Sequence, residues 1–266
     1  NAPLAIMASA MTLVIIVGGF DLSVGAIFAM GSVTSAWLAV NLDPYLGLLL
    51  APFVGLVLGY ANGLAITVLR VHSFLATIAT ALIFKGIAVA VSDGRLISAR
   101  IDDFTWIGRG KFLGVFNSVW VMVLFALVLT FLLTRTTFGR RVFAVGGNEE
   151  AAILSGIRTN RIKIAAFAIA GFAAGLASII TTSRVALGQA TAGDGMELQA
   201  IAAVILGGTS IYGGQGAVWR SLAGVFLLAL VNNGFNILGI DPFFRDLTMG
   251  LIILAAVGIS ALGQRR

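Results

Sequence analysis

Polar side chains that interrupt apolar sequence are the ones with chemistry to offer in this chain, and they are few. Asp21 lies between two apolar runs, beside Gly18 and Gly19. An ionisable group at membrane depth costs about 2.5–3.5 kcal/mol or more, so it faces a cavity or a partner. Two roles fit its position: lining a solute path, or capping the following helix by accepting from exposed backbone N–H groups. A broken helix that lines a cavity allows both. Ser23, Ser210, Asn62, Asn233 and Asn236 carry groups that both donate and accept. They suit the hydroxyls of a polar solute, and the amides equally suit bonds between neighbouring helices. With Asp21, these form the expected solute path. Lys85 is a lone cation in an apolar stretch, placed to snorkel to an interface or to pair with Asp21.

A second constellation reads as a docking element. In Gly147-Asn148-Glu149-Glu150-Ala151-Ala152-Ile153-Leu154-Ser155-Gly156, Asn148 suits an N-cap and the two glutamates suit the positive helix end. Gly156 suits the stop. The spacing predicts a helix of about two turns, too short to persist alone in water. Packing on its own bundle, or a partner protein, must hold it. Gly147, Asn148, Glu149, Glu150, Ala151, Ala152, Leu154, Ser155 and Gly156 are the residues expected at that contact.

Enzymatic signatures are missing. The sequence contains no phosphate loop of the form Gly-x-x-x-x-Gly-Lys-[Ser/Thr], no dinucleotide fingerprint, no nucleophile elbow and no His-Glu-x-x-His. It has no cysteine and one histidine, His72, which removes disulfides, thiol catalysis and most zinc sites. No cofactor, no catalytic residue and no metal site is expected in this chain. Any energy input comes from elsewhere.

The elements that must position these residues are membrane helices. Of 266 residues, 59% are hydrophobic and only 11% charged, with a mean hydropathy of +1.04. A soluble domain carries about 25% charged residues. Nine apolar segments run roughly over 4–19, 22–41, 46–69, 73–91, 119–134, 164–183, 198–212, 217–238 and 245–262. Most suit a hydrocarbon core about 30 Å thick. The first and seventh are short and suit broken helices, so eight to ten spans are expected. Gly55, Gly59 and Gly63 recur every fourth residue and make one flat face for close helix packing.

Two polar stretches, 92–118 and 135–163, flank one span and so lie on opposite sides. The second carries Arg135, Arg140, Arg141, Arg158, Arg161 and Lys163, and the positive-inside rule places it in the cytoplasm. Counting spans from there puts ten basic residues inside and six outside. The net charge of +6 is explained by that bias, and no nucleic-acid partner is expected. Gly18–Gly25 also echoes Gly207–Gly214, each followed downstream by an Asn-Gly pair inside a span. Paired glycine-interrupted segments point to a repeat-built transporter. The chain opens on Asn1-Ala2-Pro3 without a basic leader or initiator methionine, so further residues, up to a whole helix, are expected before it.

Four ordered blocks carry a resemblance. They are Gly18-Gly19-Phe20-Asp21-Leu22-Ser23-Val24-Gly25, the stretch from Phe138 to Ile157, the stretch from Gly193 to Ser210, and Asn232-Asn233-Gly234-Phe235-Asn236-Ile237-Leu238-Gly239. In order and spacing the chain resembles the ribose-type permeases of ATP-binding-cassette (ABC) importers over essentially its whole length. Phe20 stands where the family usually has Ile, and Gln199 where it usually has Asp.

The resemblance implies an all-α, polytopic bundle in the bacterial inner membrane, one permease domain over 1–266. It implies a second permease chain, two cytoplasmic ATPase subunits that bind ATP and Mg, a periplasmic solute-binding protein and surrounding lipid as partners. It assigns Gly147–Ile157 to the segment that couples the permease to its ATPase. A monosaccharide is the implied solute, with a nucleoside, a branched-chain amino acid or a sugar-derived signal as alternatives. An ion-coupled secondary transporter is the competing class, but of the intramembrane acids only Asp21 would suit it.

Overall fold

The computed structural model describes residues 1–241 and, beyond them, residues 244, 247, 248, 250–252, 254 and 258. The ninth apolar segment, 245–262, lies largely outside the described residues. Eleven helices are described: α1 (Ala2–Ile16), α2 (Val24–Asn41), α3 (Pro44–Leu69), α4 (Ser73–Ser92), α5 (Asp102–Arg109), α6 (Asn117–Arg135), α7 (Thr137–Gly147), α8 (Glu149–Leu154), α9 (Thr159–Val185), α10 (Met196–Leu206) and α11 (Val218–Ile237). Strand content among these residues is two short antiparallel pairs: β1 (Ile97–Ser98) with β4 (Leu187–Gly188), and β2 (Lys111–Phe112) with β3 (Val115–Phe116). The expected all-α polytopic bundle is what forms. By length and composition α2, α3, α4, α6, α9 and α11 can cross a membrane, and α1 and α10 are shorter apolar helices.

Local sequence explains the boundaries. Asp43 caps α3, its carboxylate accepting from the N–H groups of Tyr45 at 2.8 Å and Leu46 at 3.0 Å, with Pro44 at the first helical position. Arg70 takes up the left-handed region at the other end, with φ of 54°. His72 then caps α4 through Nδ1, which accepts from the Phe74 N–H. The one histidine of the chain thus serves as a helix cap.

Glycine decides the central crossing. The most extensive helix–helix interface joins α3 to α9. A β-carbon added at Gly55 would strike the carbonyl of Gly171, and one at Gly59 would strike the carbonyl of Phe167. One at Gly63 would stand 2.6 Å from the Cα of Ile164. The regular glycine face read from the sequence is therefore a backbone-to-backbone seam. Around it sits α1, of which every residue from Leu4 to Ile16 is buried. Such a helix, apolar on all sides, belongs at the centre of a bundle. It touches α6, α9, α10 and α11.

The two ends of the bundle differ in charge. Arg70, Glu149 and Lys163 line one cavity, which places the α3–α4 turn and the α7–α8 segment at the same end. Arg140 and Arg141 lie in that segment, and Arg135, Arg158 and Arg161 flank it. At the opposite end α5 packs on the last turn of α9: the Gly108 N–H donates to Ser183 Oγ at 2.8 Å and Arg109 Nε donates to the Arg184 carbonyl at 2.8 Å. Trp37, Tyr45, Trp106 and Trp120 are exposed near that end, as side chains with an apolar body and a polar tip are at a membrane interface.

The α3–α9 seam carries a prediction. Gly59→Leu forces two backbones apart and should destabilise the solubilised protein by about 3 kcal/mol or more, at the upper end of overpacking costs. Gly86→Ala, on α4 with nothing within 4 Å of its added carbon, should be neutral or stabilising by up to about 1 kcal/mol from helix propensity. Thermal unfolding in detergent measures both, and equal behaviour of the two variants would show that the seam is not tight.

Candidate functional site

The chain leaves α1 at Val17 and turns at Gly18, whose φ is +86°. The Gly18 N–H donates to the Ile15 carbonyl at 3.0 Å and the Gly19 N–H to the Val14 carbonyl at 2.8 Å. This is the double bond pattern of a Schellman motif, which needs a residue at ease in the left-handed region. From there the strand of chain climbs along α4. The Phe20 N–H donates to Ser73 Oγ at 3.0 Å and the Leu22 N–H to Thr77 Oγ1 at 3.1 Å. Side chains of a neighbouring helix thus satisfy the broken backbone.

Asp21, Ser23 and Asn62 meet inside this turn, all three wholly buried. Asp21 Oδ1 accepts from the Ser23 N–H at 2.9 Å and from its hydroxyl at 2.6 Å. Ser23 Oγ in turn accepts from Asn62 Nδ2. Asp21 thus accepts from a backbone N–H, as the expected cap would, but at the N-cap position of α2 and not in the first turn of that helix. Asp21 Oδ2 and Asn62 Oδ1 have no donor among the described residues. Lys85 does not answer Asp21. Its Nζ lies 2.7 Å from Asp194 Oδ1, in the turn before α10.

The second break repeats the first. At the end of α10 the Gly208 N–H donates to the Ile205 carbonyl and the Thr209 N–H to the Val204 carbonyl, with Gly208 at φ +81°. The hydrogen bonds match those at Gly18 and Gly19 position for position. The two breaks also touch, since the Gly214 N–H donates to the Ile16 carbonyl at 2.8 Å. Gly146 of α7 packs against that same carbonyl. The two breaks, which echo each other in sequence, are thus neighbours in space, in contact through glycine backbone. Ser210 lies inside the second break, where its hydroxyl accepts from the Tyr212 N–H at 3.3 Å.

Asn233 and Asn236 stand apart from this cluster. Gly207 packs on Arg220 and Gly224 on Ala203. Asn233 is nine residues beyond Gly224, about 13 Å further along α11, and both asparagines are exposed.

The docking element forms as α8. Asn148 Oδ1 accepts from the Ala151 N–H at 2.9 Å. The Gly156 and Ile157 N–H groups close the other end on the Ile153 and Ala152 carbonyls, with Gly156 at φ +80°. Ala152 is buried, and Lys163 on α9 holds Glu149 at 2.6 Å. Gly147, Glu150, Ala151, Ser155 and Gly156 are exposed, and Leu154 is 89% exposed. Ala152, among the residues expected at the contact, faces inward and anchors the helix.

Between α8 and the first break lies a cavity of about 480 Å³, lined among others by Gly18, Gly19, Arg70, His72, Glu149 and Lys163. Three partners were missed from sequence: Ser73 and Thr77, which hold the first break, and Lys163. Ser73 and Thr77 stand one turn apart on an apolar helix, and that spacing was the available signal. The helix α7 was likewise unread, although Thr136 caps it and Val142 and Val145 form its buried face. Among the described residues no group of His, Asp and Glu is placed to hold a metal ion.

Comparison with known proteins agrees with this architecture. A family described as branched-chain amino acid transport system / permease component matches residues 1–257. The ribose import permease protein RbsC of Bacillus subtilis (strain 168) is 45% identical over 255 residues, covering 95% of this chain and 79% of that one. The ribose import permease of Escherichia coli (strain K12) is 39% identical over 258 residues, 95% of this chain and 80% of its own length. The L-arabinose transport system permease protein AraH of the same organism is 39% identical over 242 residues, covering 90% and 74%. No solved structure matches the chain. With eight apolar helices among the described residues, two of them short, and a match over nearly its whole length, this chain belongs to the transport-system permease family and is a multi-pass inner-membrane transport component, not an enzyme.

Proposed function

We propose that this chain forms the translocation path of an ABC importer for a monosaccharide, as one of two permease chains above two cytoplasmic ATPase subunits. A periplasmic binding protein delivers the solute. ATP and Mg are held by the ATPase subunits, since this sequence has no phosphate loop. The sugar class rests on relatives named for ribose, allose and arabinose.

The observation that carries the coupling reading is α8. A helix of six residues has no stability of its own, yet here both ends are capped and one residue, Ala152, is buried beneath it. Ile153 and Leu154 nonetheless project outward, 55% and 89% exposed. An element built this firmly to display two apolar side chains fits a partner's groove. Seven cationic residues, Arg70, Arg135, Arg140, Arg141, Arg158, Arg161 and Lys163, lie at that end, which supports a cytoplasmic location by the positive-inside rule. The loop 92–118 is then periplasmic.

Motion at α8 has a short route to the path. Glu149 and Lys163 form one wall of the cavity, and Gly18 and Gly19 form another. A push on α8 tilts α9 and the first break together, in the manner of alternating access. Asp21, Ser23 and Asn62 are the path groups closed in this conformation. Ser210 belongs to the adjoining break, and Asn233 and Asn236 to the exposed face of α11.

Two outcomes test this. Leu154→Asp should cut ATPase co-purification at least tenfold while the permease retains its yield and unfolding temperature; wild-type co-purification would remove α8 from the interface. Ala152→Glu is a poor probe, because it buries a charge. A cysteine at Ser98, exposed on β1, should react with an impermeant maleimide in intact spheroplasts. Labelling only after lysis would invert the topology.

A further inference from the structure

We propose that Lys85, Asp194 and Glu197 line the solute path at mid-membrane and contact the hydroxyl groups of the sugar in transit, an inference that rests on the importer reading above. Lys85 is the thirteenth of the 20 residues of α4, about 18 Å from one helix end and about 10 Å from the other. Its Nζ spans both carboxylate oxygens of Asp194, at 2.7 and 2.8 Å. Yet the side chains are 41% and 53% exposed. A half-open ion pair at this depth is incompatible with a lipid neighbour.

The route of the chain agrees. After β4 it runs back into the bundle beside α2, from Gly188, which packs on Ser32 and Ala36, to Gly193, which packs on Gly25. Only then does α10 begin. Irregular backbone at membrane depth occurs where it is buried in protein or lines a water-filled cavity, and Asp194 on this segment is open. Glu197, in the first turn of α10, reaches over Gly25. That glycine is two residues from Ser23, so the seam adjoins the closed cluster at the first break. Elsewhere α4 shows apolar side chains outward, Leu75, Leu82 and Ile83 among them. Charge is confined to the one line beside α2.

The chemistry suits a neutral polyol. A carboxylate accepts from hydroxyl groups, an ammonium donates to hydroxyl or ring oxygens, and the partners re-pair with each other when the solute leaves. Binding is thereby weak, as conduction requires.

Single cysteines test the assignment in the assembled transporter in lipid vesicles. Ala81→Cys, one turn from Lys85, and Leu198→Cys, beside Glu197, are compared with Leu124→Cys on the exposed face of α6. The first two should react at least tenfold faster than the third with a water-soluble methanethiosulfonate, and trapping the ATP-bound state should change their rates. Rates equal to that of Leu124→Cys would place the seam against lipid. Oxidative cross-linking to the second permease chain without reagent access would place it between chains. Either overturns the proposal. Lys85→Asp and Asp194→Lys should each lower uptake at least tenfold, and together recover it to within threefold. Single variants that transport normally would also overturn it. Absence of ATP-dependent sugar uptake by the unaltered complex would instead defeat the importer reading itself.

Discussion

How closely α3 and α9 approach governs the rest of this molecule. Lipid tails are as apolar as the side chains, so the hydrophobic effect does not draw helices together within the bilayer. Dispersion contacts and polar bonds must do so, and both grow as backbones draw near. Gly55 and Gly59 on Gly171 bring the two helices to backbone contact. Once α9 is fixed there, it reaches α1, α2 and α5 as well. Its first turns hold Glu149 through Lys163, and its last turns hold Gly108 and Arg109. The docking helix at one end and the folded loop at the other are thus both referenced to a single post.

The breaks pose the opposite problem, since they leave backbone groups without helical partners. The solution at both is local and cheap in side chains. Each helix end folds two of its own carbonyls into a Schellman motif, and the N–H groups of Phe20, Leu22 and Gly214 find hydroxyls of α4 or the carbonyl of Ile16. That shared construction is why the two segments look alike in sequence. The same motif also ends α8 at Gly156, so the resemblance of the breaks to each other records a common way of stopping a helix. Their contact at Gly214 is the feature particular to them.

Legibility in the sequence followed the range of the interaction. Helices set by hydropathy and local caps were readable to within a few residues: α3 and α4 begin where Asp43-Pro44 and His72-Ser73 stand. The α8 caps, the glycine face of α3 and the shortness of α1 and α10 were readable for the same reason. Pairings between distant residues were not. Asp21 could cap backbone N–H groups or pair with Lys85, and the choice depends on where the turn before α10 re-enters the bundle. Nothing local encodes that. Asn62 and Asn233 occupy analogous places after their breaks, yet one faces α2 and the other is exposed, because helix rotation is fixed by packing across the bundle. In α7 the apolar period is carried by two valines among arginines, too weak a pattern to stand out beside nine strongly apolar segments.

The closed cluster at the first break carries its own tension. Asp21, Ser23 and Asn62 spend their donors on one another, and two acceptors, Asp21 Oδ2 and Asn62 Oδ1, have no protein donor among the described residues. A buried polar group without a partner costs about 1–3 kcal/mol, more where charge is involved. In the proposed importer such acceptors have a use. Parting α2 from α3 breaks the bond from Asn62 to Ser23, but it admits hydroxyl donors, from water or from a sugar, to the two deprived oxygens. In the proposed importer, what is lost on opening is then largely regained, and the energy difference between closed and open states stays small enough for a push at α8 to decide. On that proposal, the residues that seal the path at rest are those that lower the cost of opening it.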